Sequence, residues 1–183
     1  RLVSGSAVVV AVIAAVFPTS SQMRSRVTEA WEDAKSSSMV TPVTSAGARV
    51  EMTRFALQGS LEQPIEGHGT AAYMVLAPSH FTDPSWCAVV CVHPHNQFLF
   101  FLFEQGMVGL MLFLWFVGTI ARQAWHEDKP SRALMMGFLA ILLVSNMTHS
   151  SFWLSTENHF FILMTALLMA AARRRSAPDV KAP

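Results

Sequence analysis

Charge is scarce in this sequence. Asp, Glu, Lys and Arg together make 14% of the 183 residues, hydrophobic residues make 52%, and the formal net charge is +1. A chain so balanced has no basic face to neutralise a phosphate backbone, which argues against a nucleic-acid partner. Cysteine is nearly absent. Cys87 and Cys91 are too distant in a strand and poorly oriented in a helix for an unstrained disulfide, so neither is expected to have a role. No His-Glu-x-x-His, cysteine pair or carboxylate cluster has metal-ligand spacing, so no metal is expected. No Walker loop, Rossmann glycine pattern or Gly-x-Ser-x-Gly elbow occurs, and no cofactor is expected.

What the chain has is long apolar runs. The longest, Gln97 to Ile120, matches a bilayer core of ~30 Å if helical. The runs predict an all-α, polytopic membrane protein fragment with about four transmembrane helices. These are residues 1–17 (truncated at its start), 97–121, 133–148 and 158–172. Residues 18–96 form a long polar segment between the first two. Short connections fall at 122–132 and 149–157, and residues 173–183 form a tail. Arg122 to Arg132 and Arg173-Arg-Arg175 fall on one side if the helices alternate, and that side should be cytoplasmic. Residues 18–96 are then outside, which in a Gram-negative cell is the periplasm, the protein being a multi-pass one of the inner membrane. The chain reads as the C-terminal part of a longer membrane protein, with membrane lipids around it.

Within residues 18–96, Met23, Val27, Ala30, Trp31 and Ala34 recur at helical spacing opposite Arg24, Arg26, Glu29 and Glu32. A second helix should start with Thr44 or Ser45 as cap and stop before Pro64. Gly67-His-Gly69 makes a turn. Pro78, Pro84 and Pro94 make 77–94 an irregular stretch.

The chemistry should gather at Pro94-His95-Asn96, where the polar segment meets the longest apolar run. Pro94 is tolerated just before a helix. Asn96 is then the N-cap, with His95 immediately outside it. The positive end of the helix dipole disfavours His⁺, so His95 should stay neutral and able to take a proton. The ordinary alternative is that His95 merely anchors a helix at the interface. Arg49 is either a solvated surface charge or a bidentate clamp on phosphate oxygens. Arg54 points to another side of the same helix and looks more like a solvated charge. Glu104, inside the apolar run, should face a protein interior or a wet cavity, where it is either structural or a ligand contact. Gly106 and Gly109 should give a flat face for a neighbouring helix. Asn146, His149, Glu157, Asn158 and His159 surround the turn before the last helix. They are either snorkelling residues or part of a site at the outer face.

These stretches resemble the O-antigen ligase family at three places, in order. The first is Gly47-Ala-Arg49-Val-Glu-Met-Thr-Arg-Phe-Ala-Leu57 with Gln63-Pro-Ile-Glu-Gly-His-Gly-Thr70; Thr53 stands where the family often has an aromatic. The second and most specific is Pro94-His-Asn-Gln-Phe-Leu99 with Gly106-x-x-Gly109. The third is Ser145-Asn-Met-Thr-His-Ser150 with Glu157. The resemblance implies a GT-C-like fold and an enzyme without metal or nucleotide sugar. It implies transfer of a polysaccharide from undecaprenyl diphosphate to a sugar of the lipid A core, with inversion, on the periplasmic face. His95 would be the general base and Arg49 would sit near the diphosphate. Asn96, Arg54 and Glu104 are candidate substrate contacts. The family's N-terminal membrane helices lie outside these residues, so the site is expected to need them. Two alternatives remain. One is a polysaccharide polymerase using the same donor, and the other is a non-catalytic membrane component.

Overall fold

A computed structural model describes residues 21–36 and 44–176, and all regular structure among them is helical. The helices are α1 (Ser21–Ser36), α2 (Ser45–Glu62), α3 (Ala72–His80), α4 (Pro84–Val90), α5 (Gln97–His126), α6 (Lys129–Thr148) and α7 (Ser155–Ser176). The expected span at 1–17 lies outside the described residues. The chain divides into two compact units, Arg1–Glu51 and Met52–Pro183.

The first unit contains α1 and the start of α2. The periodicity over 23–34 does form a helix, with Val27 and Trp31 of its apolar stripe exposed. The second helix begins where its cap signal stands. Thr44 Oγ1 accepts the Gly47 N–H at 3.1 Å, which satisfies one of the free amides of the first turn.

The second unit holds α3 to α7. Residues 77–94, expected to be irregular, are largely helical. Pro84 sits in the first turn of α4, where an N–H is not needed, and Asp83 caps that turn by accepting from Ser85 N at 2.8 Å. Pro78 falls inside α3, only two residues before its end. The two cysteines also depart from expectation, because Cys87 and Cys91 are joined in a disulfide. Cys91 caps α4, and there the chain tightens to a Cα–Cα separation of 4.8 Å, within bridging range. Tyr73, fully buried, ties α3 to the end of α4 by donating to Val90 O at 3.2 Å.

Helices α5 and α6 form an antiparallel hairpin that turns at Glu127 and Asp128. Residues 122–132, expected as a loop, are mostly helical. Arg132 closes the turn by donating to Trp125 O at 2.8 Å and Glu127 O at 3.0 Å. Phe113, Ile120, Phe138, Leu142 and Phe161 pack at the centre of the bundle formed with α7. Among the described residues, α5 and α6 are long and apolar enough to cross a membrane. Helix α7 covers the expected 158–172 span, but Glu157 and the terminal arginines shorten its apolar part.

The expected span 97–121 is not one uninterrupted helix. Gly106 has φ 63° and ψ −159°, which breaks α5. The hydrogen bonds lost at the break are replaced by the segment Pro64–Gly69. His68 N donates to Phe103 O (3.0 Å) and Gly69 N to Glu104 O (2.8 Å). In return Met107 N donates to Pro64 O (2.9 Å) and Val108 N to Ile65 O (3.3 Å). Two carbonyls and two amides at the break are thereby paired, as burial requires.

Candidate functional site

The hairpin explains which residues meet. Because α5 and α6 run antiparallel, the residues just before α5 and just after α6 lie at the same end of the bundle. Asn96 locks that end. Its Oδ1 accepts from Leu99 N at 3.1 Å as the N-cap of α5, and its Nδ2 donates to Met147 O at 3.4 Å. Gln97, fully buried, adds a second tie by accepting from Phe152 N at 2.9 Å.

The result is a group of three imidazoles. His95 and His93 lie with ring centroids 4.2 Å apart, and each is 5.1 Å from the His149 ring. Trp153 covers His93 at 5.0 Å. On the far side, Glu157 Oε2 lies 3.9 Å from His149 Nδ1. Three imidazoles, one of them with a carboxylate beside it, make a surface able to accept and pass on a proton.

His95 holds a left-handed backbone, φ 49°, which a residue with a Cβ rarely adopts. The His95 amide donates to His93 Nδ1 at 3.3 Å, which holds the turn in place. His93 is itself buried. Burial lowers its pKa from 6.5 to about 4, and the neighbouring His95 and His149 add to the shift. An imidazole that stays neutral remains a hydrogen-bond acceptor for the His95 amide.

The other expected site residues are placed as follows. Asn96 uses its amide oxygen on the cap and one amide N–H on α6, which gives it a structural role at this end of the bundle. Glu104 is buried, and its carboxylate accepts from Tyr73 N at 3.4 Å and from Gln105 Nε2 at 3.4 Å. Helix α3 has no side-chain cap of its own at Ala71, so Glu104 supplies one from α5. The structure thus gives Glu104 a capping role within the fold. Gly106 does not serve a neighbouring helix. It admits the Pro64–Gly69 segment, and a Cβ on it would collide with Ile65 O. A Cβ on Gly109 would collide with the Gln105 side chain of its own helix. Arg49 and Arg54 are both exposed on α2.

Sequence spacing did not single out His93 as a member of this group. The only signal for it is its place two residues before His95 across Pro94. Away from the three imidazoles, a concavity of about 270 Å³ is lined by Phe55, Gln58, Glu62, His68, His80 and Phe103. Flat rings beside amide and carboxylate groups can stack on and hydrogen-bond a sugar.

Residues 1–114 match the model of the O-antigen ligase family, and the chain belongs to that family. A protein of Rickettsia conorii, provisionally named a polysaccharide ligase, is 28% identical over 134 residues. The match covers 68% of this chain and 32% of that relative, so the chain spans about a third of its length. No solved structure matches the chain. His95, Gly106 and Gly109 fall inside the family match, whereas His149 and Glu157 lie beyond it.

Proposed function

We propose that this chain carries the acceptor-activating part of a ligase. The enzyme moves a polysaccharide from undecaprenyl diphosphate to a sugar of the lipid A core, at the periplasmic face of the bacterial inner membrane. The observation that carries the reading is His95. It stands directly before the capped N-terminus of a membrane-length helix, held in a left-handed turn by a neutral His93.

In this reading His95 takes the proton of the acceptor hydroxyl. The oxygen attacks the anomeric carbon of the donor, and the bond from that carbon to the lipid diphosphate breaks with inversion. Arg49, a fixed cation with a planar fork of donors, neutralises the departing diphosphate. Other parts of the longer protein complete the donor site. The aromatic cavity beside α2 and α3 offers a resting place for the glycan.

The topology follows from charge and redox. Helices α5, α6 and α7 cross the membrane, with the basic turn at 122–132 and the arginines at 173–175 in the cytoplasm. Residues 18–96 are periplasmic. A disulfide between Cys87 and Cys91 fits that oxidising compartment.

The test is transfer of lipid-linked polysaccharide to lipid A core by the purified full-length protein. His95→Ala should lower the rate by about 10²–10⁴ with membrane insertion unchanged. Arg49→Lys should lose most activity and Arg54→Lys much less. Wild-type rates for His95→Ala would overturn the mechanism. Product on a lipid carrier in place of lipid A core would make the enzyme a polymerase.

A further inference from the structure

The group of histidines has a second capability. One ring nitrogen from each of His93, His95 and His149 lies within 4.8 Å of the others. In a tetrahedral zinc site, bonds of ~2.0–2.1 Å to nitrogen place the ligand atoms about 3.3 Å apart. Rotation of the rings by a fraction of their own width closes that gap. The arrangement behind the ligands also suits a cation. Glu157 stands on the Nδ1 side of His149 at 3.9 Å, and that Nδ1 is shielded from solvent without a hydrogen-bond partner. A carboxylate behind a ligating imidazole orients the ring and raises its basicity. Trp153 covers the His93 face.

We propose that His93, His95 and His149 bind one divalent ion of the zinc type, with Glu157 as the carboxylate behind His149. His149 gives the ion Nε2 and turns its Nδ1–H to Glu157. His93 exchanges its long bond from the His95 amide for the ion. Three imidazoles suit Zn²⁺, Co²⁺ or Ni²⁺, whereas Mg²⁺ and Ca²⁺ prefer oxygen. A fourth position stays open for water. The site has a consequence for catalysis that rests on the reading of His95 as general base. A metal bound to the His95 lone pair removes the proton acceptor, so the ion inhibits transfer.

The experiment is titration of the full-length protein in detergent with Co²⁺, read by its visible absorption, followed by displacement with Zn²⁺. Wild type should take up one Co²⁺ per chain with a tetrahedral spectrum, and excess Mg²⁺ should not compete. His149→Ala should lose the spectrum, Glu157→Gln should bind about 10–100-fold more weakly, and His159→Ala should bind as wild type does. Absence of stoichiometric uptake by wild type, or an unchanged spectrum in His149→Ala, overturns the site. Transfer assays with added Zn²⁺ and with chelator then separate the two ideas. Stoichiometric binding without inhibition would uphold the site and overturn the general-base role of His95. No binding would overturn the site and leave that role standing.

Discussion

Gly67 and Gly106 face each other across the break in α5. A Cβ on Gly67 would lie 2.5 Å from the Gly106 amide nitrogen, and a Cβ on Gly106 would lie 2.6 Å from the Gly67 nitrogen. Both have left-handed φ, 70° and 63°. The Gly-His-Gly turn and the interrupted helix are therefore one device, in which each glycine makes room for the other's backbone.

Alanine at either position should destabilise the protein. Left-handed backbone alone costs roughly 1–2 kcal/mol for a residue with a Cβ, and the collision with backbone adds to it. Gly118 and Gly137 are the controls, because a Cβ at either meets nothing within 4 Å. In those helix interiors alanine should stabilise by about 0.5–1 kcal/mol. Thermal unfolding of the four variants in detergent measures the contrast. Equal melting temperatures would mean that the break is not rigid.

Glu104 caps α3, so its substitution should act on stability and not on transfer. Glu104→Ala leaves the buried Tyr73 N–H without its acceptor, at a cost of about 1–3 kcal/mol. Glu104→Gln keeps an oxygen there and should lose less. Turnover per folded molecule should stay near wild type in both. A large drop in that quantity for Glu104→Gln, at full stability, would return Glu104 to the substrate site.

His93 positions His95 through a backbone bond, which the pair of variants His93→Asn and His93→Ala resolves. The Asn carbonyl can stand where Nδ1 accepts the His95 amide, so Asn should retain much more activity than Ala. The loss in Ala should fall on kcat more than on KM, since acceptor contacts are untouched. Equal activities would assign His93 no positioning role.

The same residue makes the loop acid-sensitive. His93 has a folded pKa of about 4 against 6.5 when unfolded. Between these values the unfolded chain binds more protons, so folding weakens as pH falls. The contribution is complete above pH 6.5 and is lost as pH drops through about 4. His95 and His149 face the ring, and Glu157 stands behind His149. Amide exchange over residues 91–97 should quicken through this window, and His93→Asn should flatten the response. Exchange that stays constant across the window would rule the effect out.

Local features were legible in the chain itself. Thr44 and Asn96 announce their helix starts because a cap needs only a side chain and the amides of the next turn. The helical spacing of α1, the length of the apolar runs in α5 and α6 and the place of His95 beside a cap are of the same kind. Each depends on neighbours within a few residues. What required the tertiary structure depends on residues far apart. Gly106 looked like a packing glycine because nothing near it in sequence says that Pro64–Gly69 replaces its helical bonds. The prolines of 77–94 looked like breakers, yet Asp83 capping, Tyr73 anchoring and the Cys87–Cys91 bridge hold short helices there. Glu104 acquires its partner only when α3 reaches α5. His149 joins His95 only because the α5–α6 hairpin returns the chain to the end from which it started. Periodicity and capping are written in adjacent residues, whereas the pairing of the buried backbone and the gathering of three imidazoles follow from which helices pack together.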